Sequence, residues 1–105
     1  MLEFRKNKEG TFSFVVKSPQ GHPLLESVPF ADAAEARRQA TALLPVLKNP
    51  GVVERTTDHQ GAFRFALKGP DGSTLGHSQA YRSEAGMENG IVNTLKGLAS
   101  GASEG

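Results

Sequence analysis

Hydrophobic and polar positions follow the same pattern twice along the chain. Residues 12–17 read Phe-Ser-Phe-Val-Val-Lys, and residues 63–68 read Phe-Arg-Phe-Ala-Leu-Lys, 51 positions later. Apolar residues recur at every second position in each segment, a period that is typical of a half-buried β-strand. The pattern therefore predicts one strand in each half of the chain, with one face toward a core.

The residues around these two strands predict a three-stranded meander in each half. A shorter strand precedes each one and a third strand follows it, at residues 2–5, 23–28, 52–56 and 74–79. The turns before the third strands read Ser-Pro-Gln-Gly and Gly-Pro-Asp-Gly. Proline presets the first central position of such a turn, and glycine supplies the positive φ that closes the hairpin.

Each half is predicted to end in an amphipathic helix. Asp32 and Ser83 are the expected N-caps, because short polar side chains accept hydrogen bonds from the free N–H groups of a first turn. Pro45 is expected to bend or end the first helix, since proline lacks a backbone donor and clashes with the preceding turn. The apolar stripes at helical spacing are Ala36, Ala40, Leu44 and Leu47, then Met87, Ile91, Leu95 and Leu98.

The two patterns form a tandem repeat of residues 1–49 and 52–99, joined by a short Pro-Gly linker. A half of about 50 residues is close to the size below which a core is marginal, so the halves are expected to pack together. We predict an α+β fold, in which two β-β-β-α repeats form one pseudo-twofold domain with the helices packed on an antiparallel sheet. A flexible tail is expected at residues 100–105.

Composition narrows the classes of function. The 105 residues carry 12 Lys and Arg against 11 Asp and Glu, a balance that argues against a strongly cationic nucleic-acid or membrane binder. With no cysteine, a disulfide framework, a thiolate metal site and a cysteine nucleophile are all excluded. Residues 1–6 include an acid and two bases, where a signal peptide needs an apolar stretch. A cytoplasmic location is expected.

The second half carries a Gly-x-Phe-x-Phe-x-Leu-Lys strand, a glycine-closed turn, Ser-x-x-Tyr and a helix with Asn-Gly-Ile. These positions are Gly61, Phe63, Phe65, Leu67, Lys68, Gly72, Ser78, Tyr81, Asn89, Gly90 and Ile91. Over residues 1–99, taken as a single domain, the chain resembles the YegP-like tandem-repeat family, a bacterial domain of unknown function (DUF1508). The resemblance implies two β-β-β-α units whose strands join in one sheet, and it brings no established activity or cofactor. The first half departs from the pattern at Arg38, Gln39 and Ala40, which replace Asn-Gly-Ile.

Gly90 and three neighbours form a candidate ligand notch. Glycine inside a helix costs about 1 kcal/mol relative to alanine, so its presence needs a physical reason. One reason is close approach of the helix to the sheet or to the other repeat, which is the interpretation we favour. The other is that Asn89 and Gly90 leave a notch beside Tyr81 and Ser78 for a ligand.

The sequence predicts no catalytic constellation, no cofactor and no metal site. His22, His59 and His77 fall in a turn, a hairpin loop and a strand, a distribution that does not place two ligands on one helix face. His77 and Ser78 are adjacent in a strand, so their side chains point to opposite faces and cannot form a nucleophile–base pair. We therefore expect that the protein is not an enzyme.

The leading hypothesis is a non-enzymatic binding or interaction module, whose partner is a protein or a small molecule and not a membrane. The alternative is a weak nucleic-acid binder that uses the basic first repeat, around Arg5, Lys6 and Lys8, and the sheet edge. Strand phenylalanines can stack bases, but the helix stripes need an apolar sheet face, so we assign the phenylalanines to the core. The chain is expected to be a monomer whose halves pair as a pseudo-dimer.

Overall fold

Six β-strands form one antiparallel sheet in the computed structural model, which describes residues 1–103. The strands are β1 (Leu2–Lys6), β2 (Phe12–Lys17), β3 (Pro23–Ser27), β4 (Val53–Thr57), β5 (Phe63–Lys68) and β6 (Thr74–Ser78). Their spatial order is β1-β2-β3-β6-β5-β4. Each half of the chain is thus a meander, as the alternating pattern predicts, and the two meanders meet where β3 pairs with β6.

Tight hairpins allow this order. Four glycines with φ between 81° and 87° stand in the hairpin turns of the two meanders: Gly10, Gly21, Gly61 and Gly72. At the junction of the meanders, Leu25 lies opposite Ser78 and Ser27 lies opposite Gly76. Counted inward from either edge, the sheet therefore presents the first, second and third strand of one half of the chain.

Two helices cover one face of the sheet, α1 (Ala33–Ala42) and α2 (Glu84–Ser103). Both predicted N-caps are confirmed. The Glu35 N–H donates to Asp32 Oδ1 at 2.8 Å, and the Gly86 N–H donates to Ser83 Oγ at 3.0 Å. These bonds satisfy donors that a first helical turn leaves free.

The end of α1 differs from its predicted apolar stripe. A 3₁₀ helix at Leu44–Val46 follows α1, as expected from the backbone restriction at Pro45. Because a 3₁₀ turn is tighter than an α-turn, the side that faces the core shifts by one residue. Leu43 is completely buried, whereas Leu44 and Leu47 are half-buried. The prediction of Leu44 as a core position is wrong for this reason.

The end of α2 also corrects the sequence prediction. The helix continues to Ser103, past the predicted boundary at residue 99, so residues 100–103 are not the expected tail. A Cβ at Gly101 would overlap the side chain of Leu2, which shows that the last turns of α2 pack tightly against β1. The rest of the predicted tail, residues 104–105, lies outside the described residues.

The core lies between the sheet and the helices, and both repeats contribute to it. Phe14 and Phe65 are 0% and 2% exposed, which confirms their assignment to the core. α2 packs on β1 and β2 of the first repeat as well as on β5 of its own. Since the second helix crosses to the strands of the first repeat, the two repeats build one shared core. No helix among residues 1–103 has the length and apolar character needed to cross a membrane.

Candidate functional site

Gly90 on α2 lies directly against the ring of Tyr81, which follows β6. A Cβ at Gly90 would stand 2.7 Å from Tyr81 Cζ and would overlap the hydroxyl oxygen. A side chain at position 90 and the phenol at position 81 therefore cannot occupy this space together. Close packing is the reason for the glycine, and the space that the notch would use is filled by the Tyr81 ring.

The other two residues of the predicted notch have different surroundings. Ser78 is 8% exposed; its Oγ accepts a hydrogen bond from the Phe65 N–H at 2.9 Å and donates one to the Gln79 carbonyl at 2.8 Å. Asn89 is exposed on α2. The structure brings Tyr81 and Gly90 together, holds Ser78 in the sheet and leaves Asn89 facing solvent. A ligand at these residues stays a prediction.

Ser27 in the first repeat is held in the same way as Ser78. Its Oγ accepts from the Phe14 N–H at 2.8 Å and donates to the Val28 carbonyl at 2.9 Å. In both repeats the paired residues of the second and third strands stop one residue before this serine, and the serine hydroxyl bonds the backbone N–H of the next residue on the second strand. The recurrence of serine at both positions is therefore explained by the sheet itself.

The Tyr81 hydroxyl is buried without a hydrogen-bond partner among the described residues. Burial raises the pKa of the Tyr81 phenol, and the nearby Gln79 side chain opposes this effect. The first repeat has Phe30 at the matching position and Gln39 in place of Gly90. Without a hydroxyl to accommodate, that repeat has no need for a glycine.

His77 and Ser78 point to opposite faces of β6, as their adjacency predicts. His77 is exposed, whereas Ser78 is buried. Within residues 1–103, no three His, Cys, Asp or Glu side chains come together in a way that suits a metal ion.

A family model described as "Domain of unknown function (DUF1508)" matches residues 58–103, the part that contains Tyr81 and Gly90. The UPF0339 protein YegP of Shigella flexneri is 28% identical over 92 residues, which cover 88% of this chain and 84% of that protein. A UPF0339 protein of Pseudomonas aeruginosa is 29% identical over 95 residues, covering 90% and 86%. These matches confirm the resemblance to the YegP-like family.

Solved structures of YegP-like proteins have the same fold. The solution NMR structure of a UPF0339 protein from Shewanella oneidensis superimposes with a TM-score of 0.86 at 22% identity, covering 93% of this chain and 83% of that one. The solution NMR structure of YegP from E. coli, described as a protein of unknown function, gives 0.82 at 25% identity, covering 94% and 84%. The YegP-like family is thus one of unknown function, and a site must be argued from geometry.

A largely apolar groove lies between the 3₁₀ helix and α2 of this YegP-like protein. Its volume is about 530 Å³. We call it the helical groove, and it is lined by Leu44, Pro45, Leu47, Lys48, Leu95, Lys96 and Ala99. Val92, 50% exposed, stands on the same side of α2 as Leu95 and Ala99, because residues three and seven positions apart share a helix face. It extends the apolar surface along α2.

Two lysines border the helical groove. Lys48 and Lys96 are exposed, and neither forms an ion pair with any carboxylate of residues 1–103. Some other surface cations are paired, although within the described residues Lys6 and Lys8 are not. Arg55, for example, holds Glu88 through two hydrogen bonds, and this contact lowers the pKa of the Glu88 carboxyl. The groove therefore combines apolar surface with uncompensated positive charge.

Sequence reasoning missed the helical groove because it assigned Leu44, Leu47 and Leu95 to the buried stripes. The signal available in the sequence is the lysine that directly follows Leu47 and the one that directly follows Leu95. Without knowing that a 3₁₀ turn changes the register after α1, this signal is indistinguishable from an ordinary solvated helix face.

The structure weakens the two features that suggested nucleic-acid binding, which are the strand phenylalanines and the basic cluster of the first repeat. Phe14 and Phe65 are buried in the core and Phe63 packs against it, so these rings do not offer a platform for bases. Arg5, in the basic cluster, lies 4.0 Å from Glu3. The same carboxylate pairs with Lys17 at 3.0 Å, and this contact lowers the pKa of Glu3.

Proposed function

We propose that this YegP-like protein is a non-catalytic interaction module that binds another protein through the helical groove. The observation that carries the proposal is the combination, at one place, of half-buried leucines open to solvent and two lysines without carboxylate partners in residues 1–103. Contiguous exposed apolar surface with a polar rim marks interaction sites on proteins. A cytoplasmic location is part of the proposal.

The hydrogen bonds of Ser78 and the orientation of His77 support a non-catalytic role. The Ser78 hydroxyl accepts a hydrogen bond from one backbone N–H and donates one to a backbone carbonyl. His77, the adjacent residue of the strand, points to the other face of the sheet. A nucleophile needs a base within hydrogen-bonding reach, and these two side chains do not meet.

Site-specific photo-crosslinking in the cells that naturally produce the protein tests the proposal. A photo-reactive amino acid is placed at Lys96, on the wall of the helical groove, and in a matched control at Thr56, exposed on the edge strand β4. We expect discrete protein adducts at Lys96 and none of the same adducts at Thr56. Identical adducts at both positions, or no adduct at Lys96, would contradict the proposal.

A further inference from the structure

We infer that the occupant of the helical groove is an amphipathic helix of a partner protein, with acidic residues beside its apolar face. This inference rests on the proposed function, because it names the partner of the same groove. It follows from three properties of the groove: the hydrogen-bonded backbone of its α2 wall, its two rows of apolar side chains and its positive charge.

The backbone of the α2 wall favours a helical occupant. Leu95–Ala99 lie inside α2, where N–H and C=O groups bond to each other along the helix. An extended peptide laid on this wall would leave its own backbone groups unpaired, at a cost comparable to a lost hydrogen bond each. A helix satisfies its backbone internally and presents only side chains. Strand addition would instead use the free edges at β1 and β4.

The apolar side chains of the groove form two rows that suit helix-in-groove docking. Val92, Leu95 and Ala99 lie along α2, and Leu44 and Leu47 lie along the opposite wall. An occupant with apolar residues at i, i+3 or i+4, and i+7 fits between such rows. The volume of about 530 Å³ is within the range of roughly 300–1,000 Å³ that is usual for ligand sites. Ala99 is small, which leaves room for a second helix to approach.

The positive charge at the border of the groove favours a partner with negatively charged side chains. Lys48 and Lys96 stand at its border without carboxylate partners among the described residues. Exposed ion pairs contribute little to affinity, but like charges placed against each other reject a wrong partner and opposite charges speed association. Apolar contacts therefore supply the affinity and the lysines supply the preference for acidic residues.

The same lysines argue against a second copy of this chain as the occupant. A twofold contact between two grooves places the same patch against itself. Lys48 and Lys96 of one copy would then face the lysines of the other, and no carboxylate among the described residues lines the groove to separate them.

Designed peptides test the inference on the full-length protein. One peptide of about 16 residues, long enough to form a helix, carries Leu at helical spacing with Glu beside it. The second replaces every Glu by Lys, and the third has the composition of the first in shuffled order. We expect the Leu/Glu helix to bind about tenfold more tightly than either of the others, measured by fluorescence anisotropy at low and moderate salt.

A charge-reversal variant sharpens the test. Lys48→Glu combined with Lys96→Glu should reverse the preference, so that the Leu/Lys peptide binds more tightly than the Leu/Glu peptide. The matched control combines Lys6→Glu with Lys8→Glu, which changes the net charge equally at exposed positions of the first hairpin, and it should keep the original preference. Amide NMR spectra of both variants verify that the fold is intact.

Three outcomes would overturn the inference. Equal binding of the first and third peptides excludes a helical occupant, and an unchanged preference in the charge-reversal variant excludes selection by the two lysines. Self-association of the wild-type chain that is lost in Leu95→Asp identifies a second copy as the occupant. If the peptides fail but adducts still form at Lys96, the proposed function stands and only the class of partner is wrong. If neither the peptide binding nor the crosslinking gives the expected result, both the proposed function and this inference are wrong.

Discussion

One hydroxyl accounts for the main difference between the two repeats at the residue scale. Tyr81 places its oxygen against the backbone of α2 at Gly90, while the matching Phe30 needs no such clearance and faces a helix with Gln39. Both rings stack on the phenylalanine of the second strand, with centroids 6.2 Å apart in each repeat. The aromatic contact is thus common to both repeats, and a glycine is needed only in the repeat whose ring carries a hydroxyl.

Tyr81→Phe is expected to increase the free energy of unfolding by about 0.5–1 kcal/mol, because it removes a buried hydroxyl that lacks a partner in residues 1–103. Urea unfolding followed by circular dichroism measures this change. The converse variant, Phe30→Tyr, should lower stability, since no glycine makes room for the new oxygen. A loss of stability in Tyr81→Phe would mean that the hydroxyl is hydrogen-bonded.

Gly90→Ala is expected to lower the free energy of unfolding by about 1–3 kcal/mol, the usual cost of overpacking. The clash with the Tyr81 ring outweighs the roughly 1 kcal/mol that alanine gains in helix propensity. Asn89→Ala, exposed one position earlier, is the control and should stay within about 0.5 kcal/mol of the wild type. A more stable Gly90→Ala variant would show that the ring moves aside and that the notch is open.

Asp58 should contribute to the dependence of stability on pH. Its carboxylate accepts hydrogen bonds from the N–H groups of Ala62 and Gln60, and these bonds lower its pKa. A folded-state pKa below the unfolded value stabilises the protein above about pH 4, and this stabilisation is lost as the pH falls through the folded pKa. Asp58→Asn, which copies Asn7 of the first repeat, should therefore lose stability less steeply in acid.

Unfolding free energies measured at intervals from about pH 6 to pH 2 test this expectation. Glu9→Gln, which removes an exposed carboxylate from the matching loop of the first repeat, is the control. Parallel curves for Asp58→Asn and the wild type would exclude Asp58 as a source of the acid dependence.

At the scale of elements, matching contacts in the two repeats use different chemistry. In the first repeat, Arg37 of α1 lies over the ring of Phe4 on β1, 4.5 Å from its centroid. In the second repeat, Arg55 of β4 holds Glu88 of α2, with Nη2 and Oε1 2.9 Å apart. Both contacts tie the edge strand to the helix, so the position of the contact repeats while the residue types do not.

The close approach of α2 to the sheet predicts a coupled pair of substitutions. A Cβ at Gly97 would stand 2.7 Å from Val16 Cγ1, so Gly97→Ala should lower the free energy of unfolding by about 1–3 kcal/mol. Val16→Ala removes the opposing methyl groups and has its own cost, because it leaves a cavity. The loss of stability in the double variant should be smaller than the sum of the two single losses by about 0.5–2 kcal/mol. If the two single losses simply add in urea unfolding, the result contradicts the contact between positions 97 and 16.

At the scale of the whole molecule, the two repeats depend on each other through α2. The second helix places Gly97 against Val16 and Gly101 against Leu2, both in the first repeat. The meanders share one sheet through the pairing of β3 with β6. Neither repeat encloses its apolar face alone.

The isolated fragment 52–105 is therefore expected to dimerise or to remain unfolded. Separation from the first repeat exposes the side of α2 that packs on β1 and β2, and a chain of this length has little other core. Circular dichroism and sedimentation equilibrium measure its helix content and mass. A folded monomer would contradict the interdependence, and recovery of helix on addition of fragment 1–51 would support it.

Sequence reasoning identified most of the elements because their signals are local. The alternation around Phe14 and Phe65, the caps at Asp32 and Ser83 and the break at Pro45 each depend on a few neighbouring residues. Close packing at Gly90 was the favoured of two interpretations, but the expected packing partner was the sheet or the other repeat, whereas the structure places the Tyr81 ring there. The length of α2 was underestimated, because its last turns are held by a distant strand.

The sequence by itself determined the repeats, the strands, the start of each helix and most of the core, since periodicity and caps act over a few residues. Only the tertiary structure decided that Leu44 and Leu47 stay half-buried, that Tyr81 fills the space at Gly90 and that a groove opens between the 3₁₀ helix and α2. These outcomes depend on how elements distant in the chain meet. A pattern along one helix specifies an apolar face, but the elements packed against that face decide how much of it remains open to a partner.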